Sequence, residues 1–335
     1  MIDFTGSHIL SVKQLDRDAI STIFSTADIM LPYAQRKKRT QVLDGAILGN
    51  MFFEASTRTR VSFGSAFNLL GGFVRETTGI SSSALSKGES LYDTARVLSS
   101  YADVIAMRHP QSGSVAEFAT GSLVPVINGG DGSNEHPTQA LLDLYTIEKE
   151  LSSKLRTIDN MHIAMVGDLK FGRTVHSLSK LLSKYNNITF SLISPKELAM
   201  PDDVISLIED AGHRVIITDE LEGNLDADIL YLTRIQEERF PSPDEANKYR
   251  GQFRLNQQIY TQHCKSNTVI MHPLPRDSRE EANELDVDLN LNPNLAIFRQ
   301  VENGVLIRMA LFALTLGVAD QVKQHESEVN WFSRK

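Results

Sequence analysis

The sequence predicts an α/β protein of two domains, each a mostly parallel sheet flanked by helices, joined by long helices. Three observations predict it. Apolar runs of strand length alternate with segments of helical period along the chain. At 335 residues the chain is long enough for two domains with sizeable cores. Polar motifs sit at the ends of the apolar runs, where parallel strands open their binding loops.

Residues 7–36 read as an opening helical segment behind a short extended lead. The run 46–53 is mostly apolar, ends at Glu54 and suits a buried strand. Ser56 and Thr57 then open a helix carrying Val61, Phe67 and Leu70, which stops at Gly71 and Gly72. Residues 76–88, rich in Ser, Thr and Gly, read as a mobile surface loop. A helix over 89–100, a strand at 104–107, a helix over 112–120 and a strand at 124–127 continue the alternation. After a turn at 129–134, Pro137 suits the first turn of a long helix. Ala140, Leu141, Leu144, Ile147 and Leu151 recur along it at helical period. The second half offers strands at 162–166, 188–193, 214–218, 228–232 and 268–271, with helices over 173–184 and 202–211. Residues 303–317 form a closing apolar helix. Residues 320–335 read as a polar tail anchored by Trp331 and Phe332. The first domain is therefore expected over 1–135, and the closing helix packs against a core. A connecting helix spans 136–152, and the second domain spans 153–302.

Hydrophobic residues make up 41% and charged residues 23%, an ordinary soluble globular composition. The net charge of -8 gives no bulk attraction for nucleic acid, so an anionic substrate needs a local basic pocket. No apolar run is long enough to span a membrane, and the start lacks a secretory pattern. A cytoplasmic location is expected. Cys264 is the single cysteine, which excludes an internal disulfide and a Cys-rich zinc site.

Ser56, Thr57, Arg58, Thr59 and Arg60 follow a predicted strand and open a helix. Helix starts present N–H groups without intrahelical partners and a partial positive charge. Hydroxyls and guanidinium groups added there make a phosphate site, because a phosphate offers several charged oxygens to many donors. The same residues also read as an N-cap followed by solvated arginines. No Gly-rich run ends in Gly-Lys-Ser/Thr, and 167–172 falls short of GxGxxG, so neither a Walker loop nor a dinucleotide fingerprint is present.

Arg108 ends a predicted strand and faces either a ligand crevice or an internal carboxylate. His136 and Gln139 share a helical face and reach one small carbonyl group, unless His136 is a capping group. Arg173 opens a helix after Gly172, and Arg234 and Gln236 follow a strand. Two arginines in one cleft suit a dicarboxylate, and on a surface they make salt bridges. Lys87 by itself reads as a solvated lysine. In HPLPR, Pro273 and Pro275 fix the direction of a strand-end loop whose carbonyls can read an amide N–H₂.

FFEASTRTR, KGES, MRHP, DGSNEHPTQALLD, GDLKFGRTVHSL, TRIQ and HPLPR stand in this order over about residues 5–318. With them the chain resembles the aspartate/ornithine carbamoyltransferase family. The resemblance implies transfer of a carbamoyl group from carbamoyl phosphate to an amine, with no cofactor and no metal. It makes 1–135 with 303–335 the carbamoyl-phosphate domain and 153–302 the aspartate domain, which close on the two substrates. Ser56, Thr57, Arg58 and Thr59, with Arg108, would bind the phosphate. Thr59, Arg108 and His136 would surround the carbonyl oxygen. Gln139 and the backbone of Pro273 and Leu274 would hold the carbamoyl N–H₂. Arg173, Arg234 and Gln236 would bind carboxylates. Ser83 and Lys87 match residues that the family inserts into a neighbouring subunit's site, which reverses the first reading of Lys87 and implies a homotrimer. Some relatives add separate regulatory chains. HPLPR, where ornithine-using members carry HCLP, and TRIQ, which they lack, point to L-aspartate as the acceptor. Ornithine or another amine is the alternative acceptor, and a non-catalytic scaffold is the alternative class. The sequence departs from the family's familiar pattern at Ser86, an often basic position. The segment after Met309 reads as an extension that covers a surface or alters assembly.

Overall fold

The computed structural model describes residues 3–80 and 84–332. They form two compact units. One comprises the described residues up to Leu141 with those from Glu302, and the other is Leu142–Val301. Each is built on a parallel sheet with flanking helices, as the sequence predicts.

The first unit runs through α1 (Arg17–Ala34), β1 (Lys38–Thr40), β2 (Ile47–Phe52), α2 (Thr57–Leu69), β3 (Phe73–Thr78), α3 (Leu91–Leu98), β4 (Val104–His109), α4 (Ser114–Gly121) and β5 (Val126–Asp131). The helix α5 (Pro137–Ser152) carries the chain into the second unit. The second unit contains β6 (His162–Val166), α6 (Arg173–Leu182), β7 (Thr189–Ile193), α7 (Asp202–Asp210), β8 (Arg214–Thr218), β9 (Ile229–Leu232), α8 (Pro243–Asn247), α9 (Gln257–His263) and β10 (Val269–Met271). The helix α10 (Ile297–Thr315) returns the chain to the first unit, which ends with β11 (Glu326–Glu328).

In the first unit the sheet order is β3-β2-β4-β5, with every pair parallel. Its core includes Met51, Phe53, Ile105, Met107 and Phe118. Phe67 and Phe312 meet edge to face at 5.0 Å, and Phe63 also packs on Phe312, so α10 is pinned to α2.

Three expectations need correction here. The helix α1 starts at Arg17, because Asp16 caps it by accepting from Ala19 N at 2.8 Å. The residues before it do not join the helix: Ile9 donates to Val126 O and accepts from Asn128 N, and Val12–Gln14 form a separate 3-10 turn. The strand β3 replaces residues 76–78 of the expected loop. Among the described residues it is an edge strand paired with β2 alone, and no apolar run announces it. The C-terminal tail is also structured. The strands β1 and β11 pair antiparallel, Tyr33 donates to Glu326 Oε2 at 2.8 Å, and Val322 is fully buried. Trp331 and Phe332 do not anchor it, being 52% and 84% exposed.

In the second unit the order is β10-β9-β6-β7-β8, again with every pair parallel. A buried polar thread runs behind it. Tyr231 donates to Asp143 Oδ2 at 2.7 Å, Gln300 Nε2 donates to Asp143 Oδ1, and Gln300 Oε1 accepts from His272 N at 3.1 Å. Gly167, just past β6, has φ +111, and a Cβ there would fall 2.2 Å from Thr233 O. Glycine lets the loops after β6 and β9 approach. Gly167→Ala is expected to cost about 2 kcal/mol or more in urea unfolding, by strain and by displacement of Thr233. An unchanged unfolding midpoint would show that this approach is not needed.

Candidate active site

The strand order of the first sheet reverses direction between β2 and β4, which leaves a crevice at the carboxyl ends there. Ser56 to Thr59 open α2 beyond β2, Arg108 stands at the end of β4, and His136 to Gln139 open α5 beyond β5. These strand ends are neighbours: Phe52 pairs with Arg108 and His109 with Asp131. Ser56 is the N-cap of α2, yet its hydroxyl makes no capping bond. Thr59 is buried, and Thr57 and Arg58 are exposed.

Arg108 is 8% exposed, with Nε 3.2 Å from Glu54 Oε2. Of the two sequence readings, the internal carboxylate is therefore present, at a strand end that also opens on the crevice. His136 is buried, and its carbonyl accepts from Gln139 N and Ala140 N, so it stands at the start of α5. Asp131 shapes the preceding turn. Its Oδ1 accepts from Asn128 Nδ2 and Glu135 N, and its Oδ2 accepts from Gly113 N and Asn134 Nδ2. Arg308 on α10 donates to Ser62 Oγ at 2.8 Å and lies 4.8 Å over the Phe63 ring. Its Nη2 reaches Thr138 Oγ1 at 3.4 Å, so one buried cation links α2 and α5. Lys87 is exposed on the connection from β3 to α3. Ser83 lies outside the described residues.

The second sheet reverses direction between β6 and β9. Arg173 opens α6 beyond β6, Arg234 and Gln236 follow β9, and Pro273 and Leu274 follow β10. These three strands are again adjacent. Asp168 is fully buried and accepts from Phe171 N at 2.9 Å and Gln236 N at 3.1 Å. One carboxylate thus ties the loop leading to Arg173 to the loop carrying Gln236. His176 Nε2 donates to Leu169 O at 2.7 Å, and burial lowers its pKa below the ordinary 6.5, which keeps the ring neutral. Sequence reading missed Glu54, Asp131, Asp168 and Arg308. Burial of a charged residue type marks Asp131, Asp168 and Arg308, and the contact with Arg108 marks Glu54; both are visible only in the fold.

The family model "Aspartate/ornithine carbamoyltransferase, carbamoyl-P binding domain" matches residues 7–149, and its "Asp/Orn binding domain" counterpart matches residues 159–315. The chain belongs to the aspartate/ornithine carbamoyltransferase family. It is 70% identical over 333 residues to the aspartate carbamoyltransferase catalytic subunit of Cellvibrio japonicus, covering 99% of this chain and 98% of that one. It is 68% identical over 330 residues to that of Saccharophagus degradans, covering 98% of each. Its fold matches Trypanosoma cruzi aspartate transcarbamoylase in complex with carbamoyl phosphate and aspartate. That match has a TM-score of 0.85 and 37% identity, and covers 93% of this chain and 98% of that one. The match to the Cellvibrio protein spans nearly both chains, so the segment after Met309 is shared with that carbamoyltransferase. No helix among the described residues of this family member is long and apolar enough to cross a membrane.

Beside the second half-site of this carbamoyltransferase, Glu237 accepts from Arg250 at 2.6 Å and from Arg279 at 2.7 Å. The two guanidinium groups, Arg250 first, hold its carboxyl down to about 2 from the ordinary 4.5. A depressed acid contributes stability above its unfolded value and loses it as pH falls through its folded value. Partial exposure screens the gain. Glu237→Gln is expected to lower the melting temperature by about 2 °C at neutral pH. The gap to the unmodified chain should close as pH falls from about 4.5 to about 2. A gap independent of pH in that window would show that the ion pairs contribute nothing.

Proposed function

We propose that this chain transfers the carbamoyl group of carbamoyl phosphate to the amine of L-aspartate, giving N-carbamoyl-L-aspartate and phosphate. The observation that carries this reading is the match over nearly the whole length to aspartate carbamoyltransferase catalytic subunits, with the family's polar motifs in order. The Trypanosoma cruzi relative, in complex with carbamoyl phosphate and aspartate, supports the choice of substrates.

In this reading residues 1–135 with 303–335 hold carbamoyl phosphate, 136–152 form the connecting helix, and 153–302 hold aspartate. Ser56, Thr57, Arg58, Thr59 and Arg108 bind the phosphate. The uncapped start of α2 supports that role, since its first-turn N–H groups favour an anion. Thr59, Arg108 and His136 stabilise the carbonyl oxygen as negative charge builds there. Gln139 and the carbonyls of Pro273 and Leu274 hold the carbamoyl N–H₂. Arg173, Arg234 and Gln236 bind the carboxylates of aspartate. The neutral amine attacks the carbamoyl carbon and a tetrahedral intermediate forms; the bond from that carbon to the phosphate oxygen then breaks, and the departing phosphate accepts the amine proton. Orientation of the two reactants supplies much of the acceleration. His136 acts as a hydrogen-bond donor rather than a base. Neither a metal nor a cofactor takes part. Ser83 and Lys87 act in the site of a neighbouring copy within a homotrimer, as the exposed position of Lys87 supports. The name "catalytic subunit" borne by the relatives supports the existence of separate regulatory chains. The location is cytoplasmic.

Phosphate release from carbamoyl phosphate should depend on aspartate and not on ornithine. A preference for ornithine would reassign the acceptor. Arg58→Ala should lose at least about 100-fold in kcat with an unchanged unfolding midpoint, and normal turnover in that folded variant would sink the phosphate role. A mixture of inactive Lys87→Ala and inactive Arg58→Ala subunits should regain activity after subunit exchange. No recovery after verified exchange would rule out a shared site.

A further inference from the structure

The loop after β10 holds a backbone conformation that its sequence does not favour. Leu274 has φ +58, a left-handed value that costs a leucine more than a glycine. Two buried side chains hold it there. The Leu274 N–H donates to His272 Nδ1 at 2.8 Å. Since Nδ1 accepts, the ring proton of the neutral imidazole sits on Nε2. Nε2 donates in turn to Glu284 Oε1 at 2.7 Å. His272 is 1% exposed and Glu284 is 7% exposed, so water does not readily replace either contact. The same carboxylate also accepts from Asp277 N, at 3.2 Å through Oε1 and 3.3 Å through Oε2. Glu284 therefore grips both ends of the loop 272–277. The His272 N–H is tied separately to Gln300 Oε1, which fixes where the loop begins.

We propose that His272 and Glu284 are positioning residues for carbamoyl transfer. Glu284 sets the imidazole tautomer, the imidazole sets Leu274 at positive φ, and this aims the Pro273 and Leu274 carbonyls at the carbamoyl N–H₂. The proposal rests on the reading of this loop as carbamoyl-binding. Both residues act through the backbone and neither contacts the reacting atoms. A carbonyl turned away would leave the amide donors without an acceptor as the carbon becomes tetrahedral. Orienting groups behind a directly contacting group commonly matter tenfold or more.

Asparagine and glutamine separate the two ring nitrogens. Asn Oδ1 stands near the place of Nδ1, so His272→Asn keeps an acceptor for Leu274. Gln Nε2 stands near the place of the ring Nε2, so His272→Gln keeps the Glu284 contact and loses that acceptor. In the full chain, His272→Gln should lower kcat/KM for carbamoyl phosphate about tenfold or more. His272→Asn should stay within about threefold of the unmodified chain. The dissociation constant for inorganic phosphate should be unchanged in both. Amide hydrogen exchange at Leu274 should be slow in the unmodified chain and in His272→Asn, and fast in His272→Gln. That exchange does not depend on turnover. A chain that moved no carbamoyl group would sink the substrate reading and leave the loop linkage standing on its own readout. Equal losses in the two variants, phosphate binding weakened in step with turnover, or unchanged exchange in His272→Gln would each overturn the proposal. Glu284→Gln keeps the shape and removes the charge. It should show the His272→Gln pattern at smaller size, and it serves as the test if substitutions at His272 unfold the chain.

Discussion

Strand order in the two parallel sheets is the constraint on which the rest depends. A right-handed crossover places its helix on one face when the chain winds one way along a sheet and on the opposite face when it winds the other way. Where the direction changes, neighbouring strand ends lie between helices of opposite faces and stay open. The first sheet changes direction at β2 and β4, and the second at β6 and β9. Arg108 and the Ser56 to Thr59 segment border the first opening, and Arg173 and Arg234 border the second. Other details serve these rims. Gly167, for instance, exists as glycine because the backbone of Thr233 stands where a Cβ would be.

Loops at open strand ends have no ladder to satisfy their N–H groups, so side chains must hold them. Buried carboxylates do this here. Asp131 holds the turn before His136, Asp168 holds the approaches to Arg173 and Gln236, and Glu284 holds the loop of Pro273 and Leu274. A buried carboxylate is costly unless several donors meet it, and each of these meets more than one. These three acids stand behind the loops as scaffolding, and Arg108, Arg173 and Arg234 stand at the strand ends.

The sequence made strands with apolar runs legible, at sheet edges as well as inside, and strands without such runs illegible. The inner strand 162–166 and the edge strand 214–218 both appear where expected, since each carries an apolar run. The edge strand β3 and the ribbon of β1 with β11 gave no such signal, because their side chains face solvent. The start of α1 was misplaced because a long-range pairing, Ile9 with Val126 and Asn128, keeps the lead out of the helix. In the site, cations and hydroxyls were legible through motif order. The carboxylates behind them were not. Asp168 and Gln236 are 68 residues apart, and the donor is a backbone N–H that every residue but proline possesses. Trp331 and Phe332 failed as anchors for a related reason: aromatic identity does not report contact, and Val322 and Glu326 hold that segment instead.

Arg58 and Arg108 show why two arginines at one rim are not interchangeable. Arg108 is 8% exposed and braced by Glu54, so its guanidinium is largely dehydrated and oriented before any ligand arrives. A donor fixed in advance needs no reorganisation when charge develops on a substrate oxygen. Arg58 is exposed at a helix start, where water screens its field. Its contribution grows only as a bound substrate displaces that water. If both arginines meet the phosphate as proposed, the buried one would supply geometry from the outset, and the exposed one a charge whose strength depends on occupancy. A site that must bind a doubly charged phosphate and later release it has use for both. Fixed donors would select the oxygen that is to carry the charge, and an exposed cation would keep the product from being held too tightly.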